Sequence, residues 1–143
     1  MITAYIDGGS RGNPGPAGYG VQIVGEDGAV IAEVYDSLPN ATNNVAEYHG
    51  LLAALAWAVD QGLRSLHVRS DSELLVKQLR GQYRVKNPGL QPLYQDARAL
   101  VGRIGRVTFE HVRRELNKEA DRLANLAMDD AAAASAKPTV SQG

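Results

Sequence analysis

Four carboxylates, Asp7, Glu47, Asp71 and Asp121, fall where the chain can use them for chemistry. Asp7 closes the alternating run from Ile2 to Asp7, in which Ile2, Ala4 and Ile6 point one way and Thr3, Tyr5 and Asp7 the other. Asp71 follows a second strand-like run, Leu66–Ser70. Both acids therefore stand at the carboxyl ends of predicted strands, where open α/β sheets gather their ligands. Glu47 and Asp121 each fall in the first turn of a predicted helix, beside apolar positions that must face a core. Singly, each acid has an ordinary role, as a strand-end turn residue or as a partner for a helix dipole. Brought together, four carboxylates would repel one another strongly unless something neutralised them. A hard divalent cation, Mg²⁺ or Mn²⁺, takes oxygen ligands and supplies that charge. Two such ions about 3.5–4 Å apart activate a water and stabilise a leaving oxygen in phosphodiester hydrolysis. Convergence of the four in space is an expectation that the fold must test.

The elements that would position them follow from periodicity and punctuation. After the first strand, six of the fifteen glycines lie between Gly8 and Gly20, with Pro14 and Pro16 among them. Strands are predicted at about Tyr19–Val24 and Val30–Tyr35, joined through Glu26-Asp27-Gly28 as a hairpin. Thr42-Asn43-Asn44 offers capping side chains ahead of a long helix. In that helix Tyr48, Leu51, Leu52, Leu55 and Val59 recur at helical spacing, and Gly62 closes it. Asp71 and Ser72 can cap a helix through about Leu79, and Gly81–Gly89 reads as a polar turn. A helix over Leu90–Ile104, a strand over Val107–Val112 and a helix from Asn117 to about Met128 complete the pattern. The expected fold is α/β: a mixed five-stranded sheet, its first three strands antiparallel, flanked by about four helices. Residues 1–129 form the expected domain. Residues 130–143, alanine-rich and containing Pro138, are expected to be a frayed helix end and a disordered tail.

Composition sets the outer bounds. At 143 residues, 44% hydrophobic and 22% charged, the chain suits one soluble domain. It has no cysteine, which excludes disulfides, thiolate metal sites and a cysteine nucleophile and fits a cytoplasmic location. No apolar run has the length of a membrane span, and the N-terminus lacks the pattern of a signal peptide. The net charge of −1 conceals an asymmetry. Residues 1–60 hold seven acids and one base, Arg11, whereas residues 61–143 hold fourteen bases and nine acids. Such a distribution suits a surface that meets a polyanion. The glycine-rich segment lacks a Gly-Lys-Ser/Thr ending and opens a hairpin, so it does not read as a nucleotide-cradling loop.

Four blocks then resemble type 1 ribonuclease H, in that family's order: Asp7 to Gly20 (DGGSRGNPGPAGYG), Thr42 to Tyr48 (TNNVAEY), Ser70-Asp71-Ser72, and Asn117 to Asp121 (NKEAD). The resemblance implies the ribonuclease H fold and a metal-dependent endonuclease that cuts the RNA strand of RNA–DNA hybrids, leaving 5′-phosphate and 3′-hydroxyl ends. It implies that Asp7, Glu47, Asp71 and Asp121 bind two Mg²⁺ ions, with Mn²⁺ as a substitute. Asp7 would bridge both ions, Glu47 and Asp71 would share one, and Asp121 would complete the other. Asn13, Thr42, Asn43, Asn44 and Ser72 match positions that contact the hybrid's backbone and minor groove. Neutral donors and acceptors suit the reading of 2′-hydroxyls.

Two features depart from the family's longer members. No histidine precedes the last aspartate in Val112-Arg113-Arg114-Glu115-Leu116-Asn117, and Arg114 is the candidate to contact phosphate in its place. The lysine-rich protrusion is reduced to Gly81–Gly89, with Arg84 and Lys86 remaining, so weaker and more salt-sensitive substrate binding is expected. His67 and His111, inside predicted strands, read as partly buried structural residues, and Trp57 as core packing. The expected protein is a monomer, and its sequence points to no protein partner or membrane. Two alternatives remain at this point: a hybrid-binding module without catalysis, and a nuclease of the same fold that also cuts double-stranded RNA.

Overall fold

Ala4 and Ile6 turn inward and Tyr5 and Asp7 turn to the opposite face of β1, Thr3–Ser10, as the alternation predicts. The strand pairs antiparallel with β2, Gly15–Val24, which pairs antiparallel with β3, Val30–Ala41. On its other side β1 pairs parallel with β4, Ser65–Ser70, and β4 with β5, Arg106–His111. The mixed sheet thus has the order β3-β2-β1-β4-β5. This computed structural model describes residues 1–136.

Helix α1, Asn43–Asp60, lays Leu51, Leu55 and Ala58 on one face of the sheet, against Ala4, Ile6, Val21 and Ile23. The short α2, Glu73–Leu79, and α3, Gln91–Ile104, extend this layer. The opposite face carries α4, Lys118–Ala136, with Ala120, Leu123, Ala124 and Ala127 buried. Burial of each large aliphatic side chain contributes about 1.5–3 kcal/mol, and these facing layers form the core. Trp57 lies partly buried against it. Among the described residues, no helix is long and apolar enough to cross a membrane.

Several lengths differ from the sequence-based expectation. Strand β1 continues through the glycines to Ser10, paired with Ala17 to Gly20 of β2, so Asp7 lies inside the strand and not at its end. Strands β2 and β3 reach well past Tyr19 and Tyr35, because Gly15 to Gly18 pairs with Ser37 to Ala41 across a bulge. Helix α4 runs to Ala136 instead of ending near Met128. Alanine is the best helix former, and Ala131 is buried, so the alanine-rich stretch continues the element. The expected boundary at residue 130 therefore falls inside a helix. Pro138 and the rest of the expected tail lie outside the described residues.

Two glycines bring the helices onto the sheet. A Cβ on Gly8 would lie 2.4 Å from the carbonyl carbon of Ala46, next to Glu47. One on Gly20 would lie 2.5 Å from the carbonyl oxygen of Ala120, next to Asp121. The glycine-rich segment thus serves close helix–sheet approach at both acids.

Candidate active site

Each acid is set by a different element. Asp7 lies within β1, on the face it shares with Tyr5. Glu47 sits in the second turn of α1, not the first as expected, because the helix begins at Asn43, capped by the Thr42 hydroxyl accepting from Val45 N–H at 3.2 Å. Asp71 follows β4 directly, and the Ser72 hydroxyl caps α2 by accepting from Leu75 N–H at 3.2 Å. Asp121 lies in the first turn of α4, its N–H donating to the carbonyl of Asn117 at 3.1 Å.

Carboxylate oxygens of Asp7, Glu47 and Asp71 lie within 4.8 Å of one another. Asp121 stands within hydrogen-bonding reach of Asp7. All four line one cleft of about 500 Å³, together with Asn43, Asn44, Ser72 and Arg114. Asn13 and Thr42, both exposed, do not line it. Asn13 Oδ1 accepts from Asn43 N–H at 2.9 Å, and Asn43 Oδ1 accepts from Ser10 N–H at 2.8 Å. This interlock joins the glycine-rich loop to α1. It occupies both side-chain carbonyls and leaves the two amide groups as donors.

The electrostatics follow from the crowding. Burial raises the Asp7 carboxyl to about 8, helped by the charge of Asp71 and by a hydrogen bond with Asp121. Burial and the Asp71 charge raise Glu47 to about 7, although the Ser72 hydroxyl favours its ionised form. Asp71 is also raised by burial, against the opposing charges of Arg114 and His111. Asp7, Glu47 and Asp71, which resist ionising together, offer with Asp121 a set of hard oxygen donors. Divalent cations fit such a set, because ionised carboxylates lose their mutual repulsion to a bound charge.

Several residues near the cleft escaped the sequence reading. Arg11, Asn125 and Met128 line it. Asn125 stands one turn after Asp121, a signal that helical spacing offered; Arg11 is the single base among the first sixty residues. Asn117, 1% exposed, donates from Nδ2 to the carbonyl of Ile6 at 2.9 Å and ties α4 to the residue before Asp7. Its Oδ1 is buried without a partner. His111 is exposed and faces Asp71 electrostatically, so the expectation of a partly buried structural residue fails for it: its ring comes at the very end of β5, past the core. His67 behaves as expected, half-buried and bonded to Thr108 and Glu110. The connection after β5 contains one 3₁₀ turn, Arg114–Leu116, which presents Arg114 to the cleft.

Residues 5–127 match the family described as Reverse transcriptase-like. Among curated relatives, the Bifunctional protein Rv2228c of Mycobacterium tuberculosis is 50% identical over 136 residues, 94% of this chain and 37% of that protein. The chain thus spans little more than a third of that relative's length. The solved N-terminal RNase H domain of Rv2228c, a fusion with maltose-binding protein, superposes with a TM-score of 0.91 at 48% identity, covering 94% of this chain and 98% of the other. RNase H1 of Halobacterium salinarum gives a TM-score of 0.86 at 45% identity, over 90% and 98% of the two chains. LC11-RNase H1, solved in complex with an RNA/DNA hybrid, gives 0.88 at 41% identity, over 92% and 99%. With a family match over residues 5–127 and this identity and superposition across nearly the whole chain, the protein belongs to the reverse transcriptase-like family, as a type 1 ribonuclease H domain.

Proposed function

We propose that this chain hydrolyses the RNA strand of RNA–DNA hybrids as a metal-dependent endoribonuclease, leaving 5′-phosphate and 3′-hydroxyl ends. The observation that carries this reading is the meeting of Asp7, Glu47, Asp71 and Asp121, from four separate elements, in one cleft edged by neutral amides and a hydroxyl. The hybrid-bound LC11-RNase H1, similar over nearly its whole length, supports the substrate class. A module that only bound hybrids would gain affinity by losing carboxylates near phosphates, and this chain keeps all four.

In this reading Asp7, Glu47, Asp71 and Asp121 would hold the Mg²⁺ or Mn²⁺ ions. When bound, such ions lower the pKa of water and stabilise charge on the leaving oxygen. The chain's own residues do the rest. The Asn43 and Asn44 amides and the Ser72 hydroxyl contact the sugar and backbone of the duplex, with Asn13 and Thr42 fixing the α1 terminus that presents them. Arg114 holds a phosphate beside Asp71. The uncleaved strand runs toward a groove of about 930 Å³ beyond α2, where Tyr83, Arg84 and Tyr94 offer stacking surfaces and a positive charge. All of these groups belong to one chain, which suits action as a monomer.

The test uses one labelled RNA annealed to DNA, annealed to RNA, or left single, each with Mg²⁺, Mn²⁺ or chelator. Metal-dependent cutting of the hybrid alone is the expected result. Cutting of double-stranded RNA as well would widen the specificity, and binding without cutting under either metal would overturn the reading.

A further inference from the structure

Arg11 is a base on the rim of a cleft dominated by acids, and its place there has a use. Among the described residues lining the cleft, only Arg11 and Arg114 carry positive charge. They stand on opposite sides of Asp121 along α4. Arg114 precedes the helix beside Asp71, whereas Arg11 reaches α4 one and two turns beyond Asp121, at Asn125 and Asp129. Eight residues of helix span about 12 Å, so a guanidinium held at Asp129 stands well along the cleft from Asp121.

Its contacts leave most of its donors free. Among the described residues, only its Nη2 is engaged, donating to Asp129 Oδ1 at 2.8 Å and to Asn125 Oδ1 at 3.4 Å. A guanidinium has five N–H groups in a planar fork suited to a phosphate. The ion pair with Asp129 is open to solvent, at 44% and 62% side-chain exposure. Such a pair shifts an equilibrium by roughly two- to fivefold and is readily exchanged. The backbone beneath is fixed, with Arg11 N–H donating to Pro16 at 2.8 Å and Ser10 N–H to Asn43. The side chain can therefore turn from Asp129 while its base stays in register.

We infer that Arg11 binds a backbone phosphate neighbouring the scissile one on the cleaved strand, and that Asp129 parks its guanidinium in the free protein. The inference rests on the proposed activity and extends it to a residue and a latch. Binding of a fixed RNA–DNA hybrid is measured in chelator, so that no strand is cut, over a series of salt concentrations. Arg11→Gln is expected to weaken binding roughly five- to tenfold and to reduce the slope of log K against log salt by about 0.7–0.9. Arg11→Lys should restore the slope. Asp129→Asn should tighten binding roughly two- to fivefold when Arg11 is present, and that gain should largely vanish beside Arg11→Gln. An Arg11→Gln protein with lowered Tm but unchanged slope would overturn the inference and leave Arg11 a loop clamp. Equal tightening by Asp129→Asn in both backgrounds would overturn the latch. Failure of the wild-type protein to bind the hybrid would overturn the proposed function, and this inference with it.

Discussion

Asp7 and Glu47 bind protons in the folded protein that the unfolded chain releases near pH 4, since their carboxyls are raised to about 8 and about 7. A proton held only by the native state stabilises it. That stabilisation is complete below the unfolded value and is lost as pH rises through 7 to 8. In chelator, Tm should therefore fall between pH 5 and pH 9. Asp7→Asn removes the largest share of this dependence, and at pH 9 should melt about 3–5 °C above the parent protein. Added divalent cation should flatten the profile of the parent protein, because ionised acids become its ligands. Differential scanning calorimetry across pH, with and without metal, reads all three outcomes. Arg114 favours the ionised form of Asp71 and lines the cleft. Arg114→Ala should lower kcat/KM by roughly tenfold with little change in Tm, as loss of an exposed charged contact to phosphate predicts. Steady-state kinetics beside a melting curve separates this from a folding defect.

Between elements, the contacts that hold the acids in register are polar and close. Asn117 joins α4 to β1 through the Ile6 carbonyl, one residue from Asp7 and one turn from Asp121. Asn117→Ala should cost about 1–3 kcal/mol in a denaturant titration, by leaving that carbonyl unpaired. It should also lower kcat further than the stability loss explains at temperatures where the fold persists. Gly8→Ala should destabilise by a similar amount, since the added Cβ forces α1 off the sheet at Glu47. The sequence revealed much of this scaffold. The alternation of β1 placed Asp7 on the correct face, and Thr42 and Ser72 announced the starts of α1 and α2. The reach of β2 and β3 through glycine and proline was not legible, because strand pairing there overrides local preference. Nor was the continuation of α4, which depends on Ala131 finding a buried surface. Arg11 with Asp129 and Asn117 with Ile6 are contacts across more than a hundred residues, which no local pattern encodes.

Over the whole molecule, the negative first sixty residues include two of the acids, Asp7 and Glu47, and the positive remainder supplies the charge that the proposed contact with a duplex requires. The loop after α2 carries Arg84 and Lys86, both exposed. Replacing both with glutamine should raise KM several-fold, leave kcat nearly unchanged and flatten the salt dependence of KM by about one to two contacts. Initial rates over a salt series check this. The order and pairing of the strands bring all four carboxylates to one end of the sheet, and the account stands on what they do there. The most direct test is the rate at which Asp7→Asn releases labelled RNA from a hybrid in saturating Mg²⁺ or Mn²⁺, beside its Tm in chelator. The account predicts a loss of roughly a thousandfold or more with a Tm equal to or above that of the parent protein. Turnover near the parent rate in a folded Asp7→Asn protein would contradict it.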